Sequence, residues 1–405
     1  MSKLQRTDRR KFLEQSAMAA ISAASTRFSF LGEPQSTRKL RIGIVGGRFG
    51  RSFYFHEHPN CKVVAVSDLR PDRKKALMET YNCQKSYDSL ALLLKDKEVE
   101  AVGIFTPAPD HATHVIQSLE AGKHVLCAVP AALTIDECSA ILEKVNATGL
   151  TYMMAETSTY RQETITAKKM FSEGKFGTIF HSAAQYYHPG LEVLYFETDG
   201  SRTWRHGFPP MLYPTHTTAF LIAVTGERLT HVNAIGWGDQ DPILKDNIYN
   251  NPFWNTTGFF QTDQGHSFVG EVCWKGALLH GERGSWYGDK MSFHMPQKGI
   301  ETHWVHFTHK HSKDDGGFSV ANPEMKIYDQ ESWWKEDLLP EALRHDSGHG
   351  GSHTFITHEF VDAIINDRAP EIDIYEALAY TAPGIVAHQS ALEGGEYMSI
   401  PNFDV

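Results

Sequence analysis

The sequence is poor in cysteine, in basic charge and in long apolar runs, and each shortage removes a class of protein. Five cysteines in 405 residues, Cys61, Cys83, Cys127, Cys138 and Cys273, form no Cys-x-x-Cys pair. An odd, sparse set of this kind is not a disulfide framework. Lysine and arginine number 39 against 49 acidic residues, for a formal net charge of -10. That balance argues against nucleic acid and anionic membrane surfaces, both of which select basic patches, and leaves small neutral or weakly charged substrates. No apolar stretch beyond the N-terminal region approaches the roughly 20 residues that a bilayer needs. What is present is ordinary globular material, 41% hydrophobic and 22% charged. Its length suits two domains of about 100 to 200 residues each.

The chain begins with Thr7-Asp8-Arg9-Arg10-Lys11-Phe12-Leu13, followed by a weakly apolar Ala/Ser/Met run from Ser16 to Ala24. A twin arginine ahead of such a run resembles a Tat export signal, and no Ala-x-Ala site follows the run. Residues 1–38 are therefore expected to act as signal and linker, directing the folded protein to the periplasm. No pool of dinucleotide is expected there, so an exported cofactor enzyme should retain its cofactor and regenerate it within each turnover.

Residues 39–157 read as a dinucleotide-binding unit. An apolar strand over 40–45 runs into the glycine turn Gly46-Gly47-Arg48-Phe49-Gly50, and a helix is expected from Arg51. A second strand over 62–67 ends in Asp68. Glycines let the backbone approach a pyrophosphate at a helix N-terminus, and an acid closing the second strand takes both ribose hydroxyls. The loop reads Gly-Gly-x-x-Gly, a departure from the usual fingerprint. Further elements alternate: a helix opened by Pro71, a buried strand over 101–105, a helix over 110–121, and a strand over 124–127. A capping box at Thr134 and Glu137 then starts another helix, and a strand follows over 151–155. This order predicts a doubly wound parallel sheet. Asp68 favours NAD, because a carboxylate repels the 2′-phosphate of NADP.

Thr106-Pro107, then His111, then Ala121-Gly122-Lys123-His124-Val125-Leu126 resemble the corresponding stretch of the glucose-fructose oxidoreductase and inositol dehydrogenase (Gfo/Idh/MocA) superfamily. The resemblance covers everything after the export signal. It implies that Thr106, His111, Ala128, Val129, Glu156 and Thr157 flank the cofactor beside Gly46, Gly47, Gly50 and Asp68. Most members carry Glu-Lys-Pro where this chain has Ala128-Val129-Pro130, so a lysine proton acceptor is missing. Val129-Pro130-Ala131-Ala132 with Tyr213-Pro214-Thr215-His216 resembles the NAD-dependent family 109 glycoside hydrolases, with Ala128 and Thr157 as departures.

Residues 158–405 are rich in aromatics and in short alternating stretches around 232–235, 267–274 and 277–280, which predicts an α+β domain with an open, mostly antiparallel sheet. Helices are expected over 355–366 and 375–392, and a surface loop over 238–265. His216 and Tyr213, spaced to share one side of a turn, are candidate proton carriers. Tyr186 is a candidate substrate contact, and Arg205 beside Trp204 a cation able to lower a tyrosine pKa. His349 and His353 flank a Gly-Gly turn near the substrate or cap a helix. The cluster His303, His306, His309 and His311 has no acid or cysteine completing a tetrahedral set, so no metal is expected.

The favoured function is a redox-neutral glycosidase acting on a carbohydrate: hydride transfer at a ring carbon, elimination, hydration and reduction. In it His216 serves the C3 hydroxyl, and Tyr186 or Tyr213 serves C2 or the leaving group. The alternatives are a sugar oxidoreductase that stops at the keto-sugar and a cofactor-retaining binding protein. A homo-oligomer is expected.

Overall fold

Five short, mostly buried apolar segments and one two-residue edge strand make the first sheet. They are β1 (Leu40–Val45), β2 (Cys61–Ser67), β3 (Ser86–Tyr87), β4 (Ala101–Ile104), β5 (His124–Cys127) and β6 (Tyr152–Met154). In this computed structural model, which describes residues 37–297, 302–313 and 319–404, they pair in parallel in the order β3-β2-β1-β4-β5-β6. The export-signal motif from Thr7 to Ala24 lies outside the described residues. Near-continuous apolar strands need helices on both sides. They have α1 (Pro71–Tyr81), the short α2 (Leu90–Leu93), α3 (His111–Glu120) and α4 (Ile135–Thr148). The expected capping box is formed: Thr134 Oγ1 accepts from the Glu137 amide at 3.1 Å, and Glu137 Oε2 from the Thr134 amide at 3.2 Å.

The helix expected from Arg51 is not there. One 3-10 turn, Gly50–Ser52, is all that forms before the chain straightens at Phe53. The segment Phe53-Tyr54-Phe55-His56-Glu57-His58-Pro59 is aromatic and weakly helix-forming, and it buries Phe53 and Phe55 completely. A helix from the far end of the chain, packed on β1, stands behind this segment instead. His353 Nδ1 of that helix donates to Ser52 O at 2.8 Å, and Phe53 stacks on the His353 ring at 4.9 Å.

The second sheet has nine strands: β7 (Ile179–Tyr187), β8 (Leu229–Trp237), β9 (Asn255–Thr262), β10 (Ser267–Cys273), β11 (Gly281–Gly288), β12 (Met291–His294), β13 (Trp304–Lys313), β14 (Ser319–Ile327) and β15 (Met398–Ser399). Their order is β14-β13-β12-β11-β7-β10-β9-β8-β15, antiparallel except for the β7–β10 pair. Two expectations need correction. The loop assigned to 238–265 contains β9, where Thr256, Phe260 and Thr262 point inward and Phe259 outward; most of the Asn, Asp and Pro that suggested a loop lie ahead of it, between Asp239 and Pro252. The strand assigned to 277–280 begins only at Gly281.

One face of this sheet is covered by α6 (Thr215–Thr225) and α8 (Ile374–Leu392), while α5 (Gln162–Ser172) packs beside α6. The helix that backs the first sheet is α7 (Gly348–Ile365), which starts earlier than the expected 355. The other face is open and exposes Phe180, Ile235, Trp237 and Phe259. The chain end returns to the first domain, since Met154 N donates to Ile372 O at 3.0 Å.

Candidate active site

In a parallel sheet the carboxyl ends of the strands form the ligand crevice. β4, β5 and β6 bring Thr106, Ala128, Val129, Glu156 and Thr157 to that edge. The second domain faces it with the end of β7, the start of β11 and the first turn of α6. Glu156, wholly buried, accepts from His216 Nδ1 at 2.8 Å and from the Ser158 amide at 2.7 Å through one oxygen. Ser158 Oγ lies 3.1 Å from the same His216 nitrogen and donates to Glu282. Glu282 in turn is gripped by Arg161, Nε and Nη2 each 2.7 Å from a carboxylate oxygen. Tyr186 and Tyr213 flank His216, with ring centroids 4.7 and 5.2 Å from the imidazole.

Burial and charge oppose each other at these groups. For His216 burial favours the neutral ring, but the Glu156 and Glu282 carboxylates outweigh it and hold the pKa above the ordinary imidazole value. Glu156 shows the reverse: burial favours the neutral acid, and the His216 charge and hydrogen bond hold it below its usual value. Tyr186 is raised well above the tyrosine range by burial, then by Tyr213 and Glu282. Tyr213 is raised by burial against the pull of Arg205. Arg205, stacked 4.0 Å over Trp204, thus acts in the expected direction, but burial prevails and both tyrosines stay protonated donors.

Where the sequence grouped Glu156 with the cofactor, the structure pairs it with His216. His111 stands behind the crevice edge. It is buried with Nδ1 2.7 Å from Pro130 O and Nε2 3.0 Å from Thr106 O, so the ring bridges two turns of the crevice. Sequence reasoning missed Ser158, Arg161 and Glu282. The Arg161–Glu282 pair spans 121 positions, and nothing in either neighbourhood announces the partner.

The crevice fits a dinucleotide. Gly46 has φ 100°, and a Cβ there would lie 2.2 Å from Phe105 O, so the turn from β1 runs hard against the end of β4. Asp68 closes β2 and accepts the Gly47 amide at 2.6 Å and the Arg70 amide at 2.8 Å, fixing its carboxylate beside the glycine turn. Replacing Asp68 with alanine should weaken NAD binding by roughly 1–3 kcal/mol, the range for hydrogen bonds to a charged group. Fluorescence titration with NAD measures this, and unchanged affinity would refute the ribose contact. A cleft of about 600 Å³ opens beside the crevice, lined by Arg161, Glu163, Tyr186, His188, Glu282 and His349.

Residues 40–156 match the oxidoreductase family with an NAD-binding Rossmann fold, the Gfo/Idh/MocA family. That part of the chain is a Gfo/Idh/MocA nucleotide-binding domain, and the protein is an NAD-dependent enzyme. Residues 275–405 match the C-terminal domain of glycosyl hydrolase family 109, so the chain joins a Gfo/Idh/MocA nucleotide-binding domain to a C-terminal domain of the family 109 type. A glycosyl hydrolase family 109 protein from Solibacter usitatus is 25% identical over 99% of this chain and 98% of its own. One from Stenotrophomonas maltophilia is 24% identical over 98% and 95%. Among solved structures, levoglucosan dehydrogenase with NADH and levoglucosan has a TM-score of 0.73 at 18% identity, covering 90% of this chain and all of that one. Scyllo-inositol dehydrogenase from Lactobacillus casei has a TM-score of 0.64 at 15% identity, covering 90% and 99%.

Proposed function

We propose that the chain is a redox-neutral glycosidase that retains its NAD. The observation that carries this reading is the buried Glu156–His216 pair flanked by two protonated tyrosines, at a site where Val129 leaves no lysine. NAD, when bound, supplies reversible oxidation at a ring carbon, and the residues here move the protons. His216 holds its Nδ1 against Glu156 and keeps Nε2 for the ligand, where it takes the proton of the C3 hydroxyl. Glu156 stabilises the imidazolium that results. Tyr186 and Tyr213, kept neutral by burial, face C1: one gives its proton to the departing oxygen as the C2 proton passes to solvent, and recovers a proton from the water that adds while C2 is reprotonated from solvent.

Such a cycle leaves the cofactor unchanged, so one bound NAD should support many turnovers of an aryl glycoside without added acceptor. Product formed in deuterated water should carry deuterium at C2 and none at C3. Stoichiometric keto-sugar with accumulated reduced cofactor would make the chain a sugar oxidoreductase instead. No reaction with any sugar would leave a binding protein.

Export accords with a self-regenerating cofactor, and we propose that the twin arginine directs it. Changing Arg9 and Arg10 to lysine should keep the holoprotein in the cytoplasm. Equal amounts of variant and wild type in the periplasmic fraction would refute this.

A further inference from the structure

The turn that opens α7 lines the cleft, and the proton chemistry above leaves it unused. Three consecutive residues, His349, Gly350 and Gly351, lie in the left-handed region with φ of 51°, 70° and 89°. Histidine seldom adopts that conformation, and here it turns the ring toward two sites at once. On the cofactor side His349 meets Phe49 of the glycine turn, centroids 5.8 Å apart. On the cleft side His349 lines the cavity together with Arg161 and Glu282.

The hydrogen bonds fix where the protons sit. Ser52 O can only accept, so His353 Nδ1, 2.8 Å away, carries a hydrogen. His353 is buried, and neither ring is hydrogen-bonded to a carboxylate among the described residues. Burial, then His349, pushes the His353 pKa down to about 3, so the ring is neutral and its Nε2 is bare. The 2.8 Å contact between His353 Nε2 and His349 Nδ1 therefore needs its hydrogen on His349. That leaves His349 Nε2 without one, in a side chain exposed to the cleft. A free imidazole in water favours the opposite tautomer.

We propose that His349 is a substrate-binding residue whose bare Nε2, held by a two-histidine relay anchored on the Ser52 carbonyl, accepts a hydrogen bond from a hydroxyl of the bound sugar. This rests on the reading of the cleft as a sugar site. The ligand class follows from the lining: beside His349 the cleft presents the amides of Gln185 and Gln297 and the hydroxyls of Tyr186 and Tyr187, while its Arg161 and Glu282 charges neutralise each other. A mixed set of uncharged donors and acceptors suits a neutral polyol. His353 is a positioning residue.

The test uses the NAD-loaded enzyme. His349→Gly keeps the left-handed turn and removes the acceptor; it should raise the sugar KM roughly 2- to 10-fold, the range for one hydrogen bond, with little change in kcat or in retained NAD. His349→Asn, which tolerates the turn and offers a carbonyl, should recover part of the loss. Across singly deoxygenated substrates, the one lacking the paired hydroxyl should respond least to His349→Gly, because the interaction is already absent. Nitrogen-15 NMR should show Nε2 of His349 unprotonated in wild type and protonated in His353→Leu. A protonated Nε2 in wild type overturns the relay. Loss of NAD with unchanged sugar KM overturns the sugar assignment and moves the contact to the cofactor ribose. If wild type turns over no sugar, the glycosidase reading fails and takes the sugar contact with it, while the NMR result still decides the relay.

Discussion

Replacing His216 with alanine is expected to lower turnover by roughly 10²- to 10⁴-fold with NAD still bound, the usual span for a positioned acid or base. The loss is large because no neighbour can substitute: Tyr186 and Tyr213 are held neutral by burial, and Glu156 is aimed at His216 Nδ1 rather than at the ligand. The same change leaves the Glu156 carboxylate buried without its cation, so a lower melting temperature should accompany it. Glu156→Gln separates the two effects. It keeps the shape, removes the charge that raises the His216 pKa, and should move the acid limb of kcat/KM to lower pH while reducing the rate. A rate within threefold of wild type for His216→Ala would remove His216 from the chemistry.

Breaking the Arg161–Glu282 pair should cost about 3–5 kcal/mol, the range for removing one partner of a buried pair. The Glu282 side chain is 4% exposed and Arg161 18%, so Arg161→Met strands a carboxylate with only Ser158 to bond it. Removing both charges, as Arg161→Met with Glu282→Leu, should recover most of the loss. Chemical denaturation measures both, and a single-variant loss under about 1 kcal/mol would show the pair to be solvated. The pH dependence follows in sign. Burial would raise the Glu282 pKa, but Arg161 and His216 outweigh it and hold it far below the usual carboxylate range. Its contribution to stability is complete above the ordinary glutamate value and is lost as pH falls toward the depressed one.

The sequence made the first domain legible because strands buried on both faces leave uninterrupted apolar runs, and because Pro71, Thr134 and Gly122 punctuate its helices. It misled at Arg51, where strand, glycine turn and acid all promised a helix that Phe53 and Phe55 replace. In the second domain, half-buried strands carry only alternation, and β9 disappeared behind a neighbouring stretch of Asn, Asp and Pro. At the site, Tyr213 and His216 were visible because three residues of spacing place them on one turn. Arg161 and Glu282 were not, since their meaning arises only when β11 of the second sheet meets the turn ahead of α5. His111 shows the converse: a motif residue can shape a site from behind, its ring bridging two backbone carbonyls of the crevice.

The helix that backs the glycine turn belongs to the other end of the chain. In a free-standing nucleotide-binding module the turn is supported by the residues that follow it; here Ser52 and Phe53 lean on His353. The two halves are therefore not interchangeable parts. A graft of residues 39–157 onto another substrate domain would leave Phe53 without the His353 ring it stacks on and Ser52 O without its donor. One turn of α7 thus faces two ways, with His353 holding the glycine turn and His349 opening on the cleft.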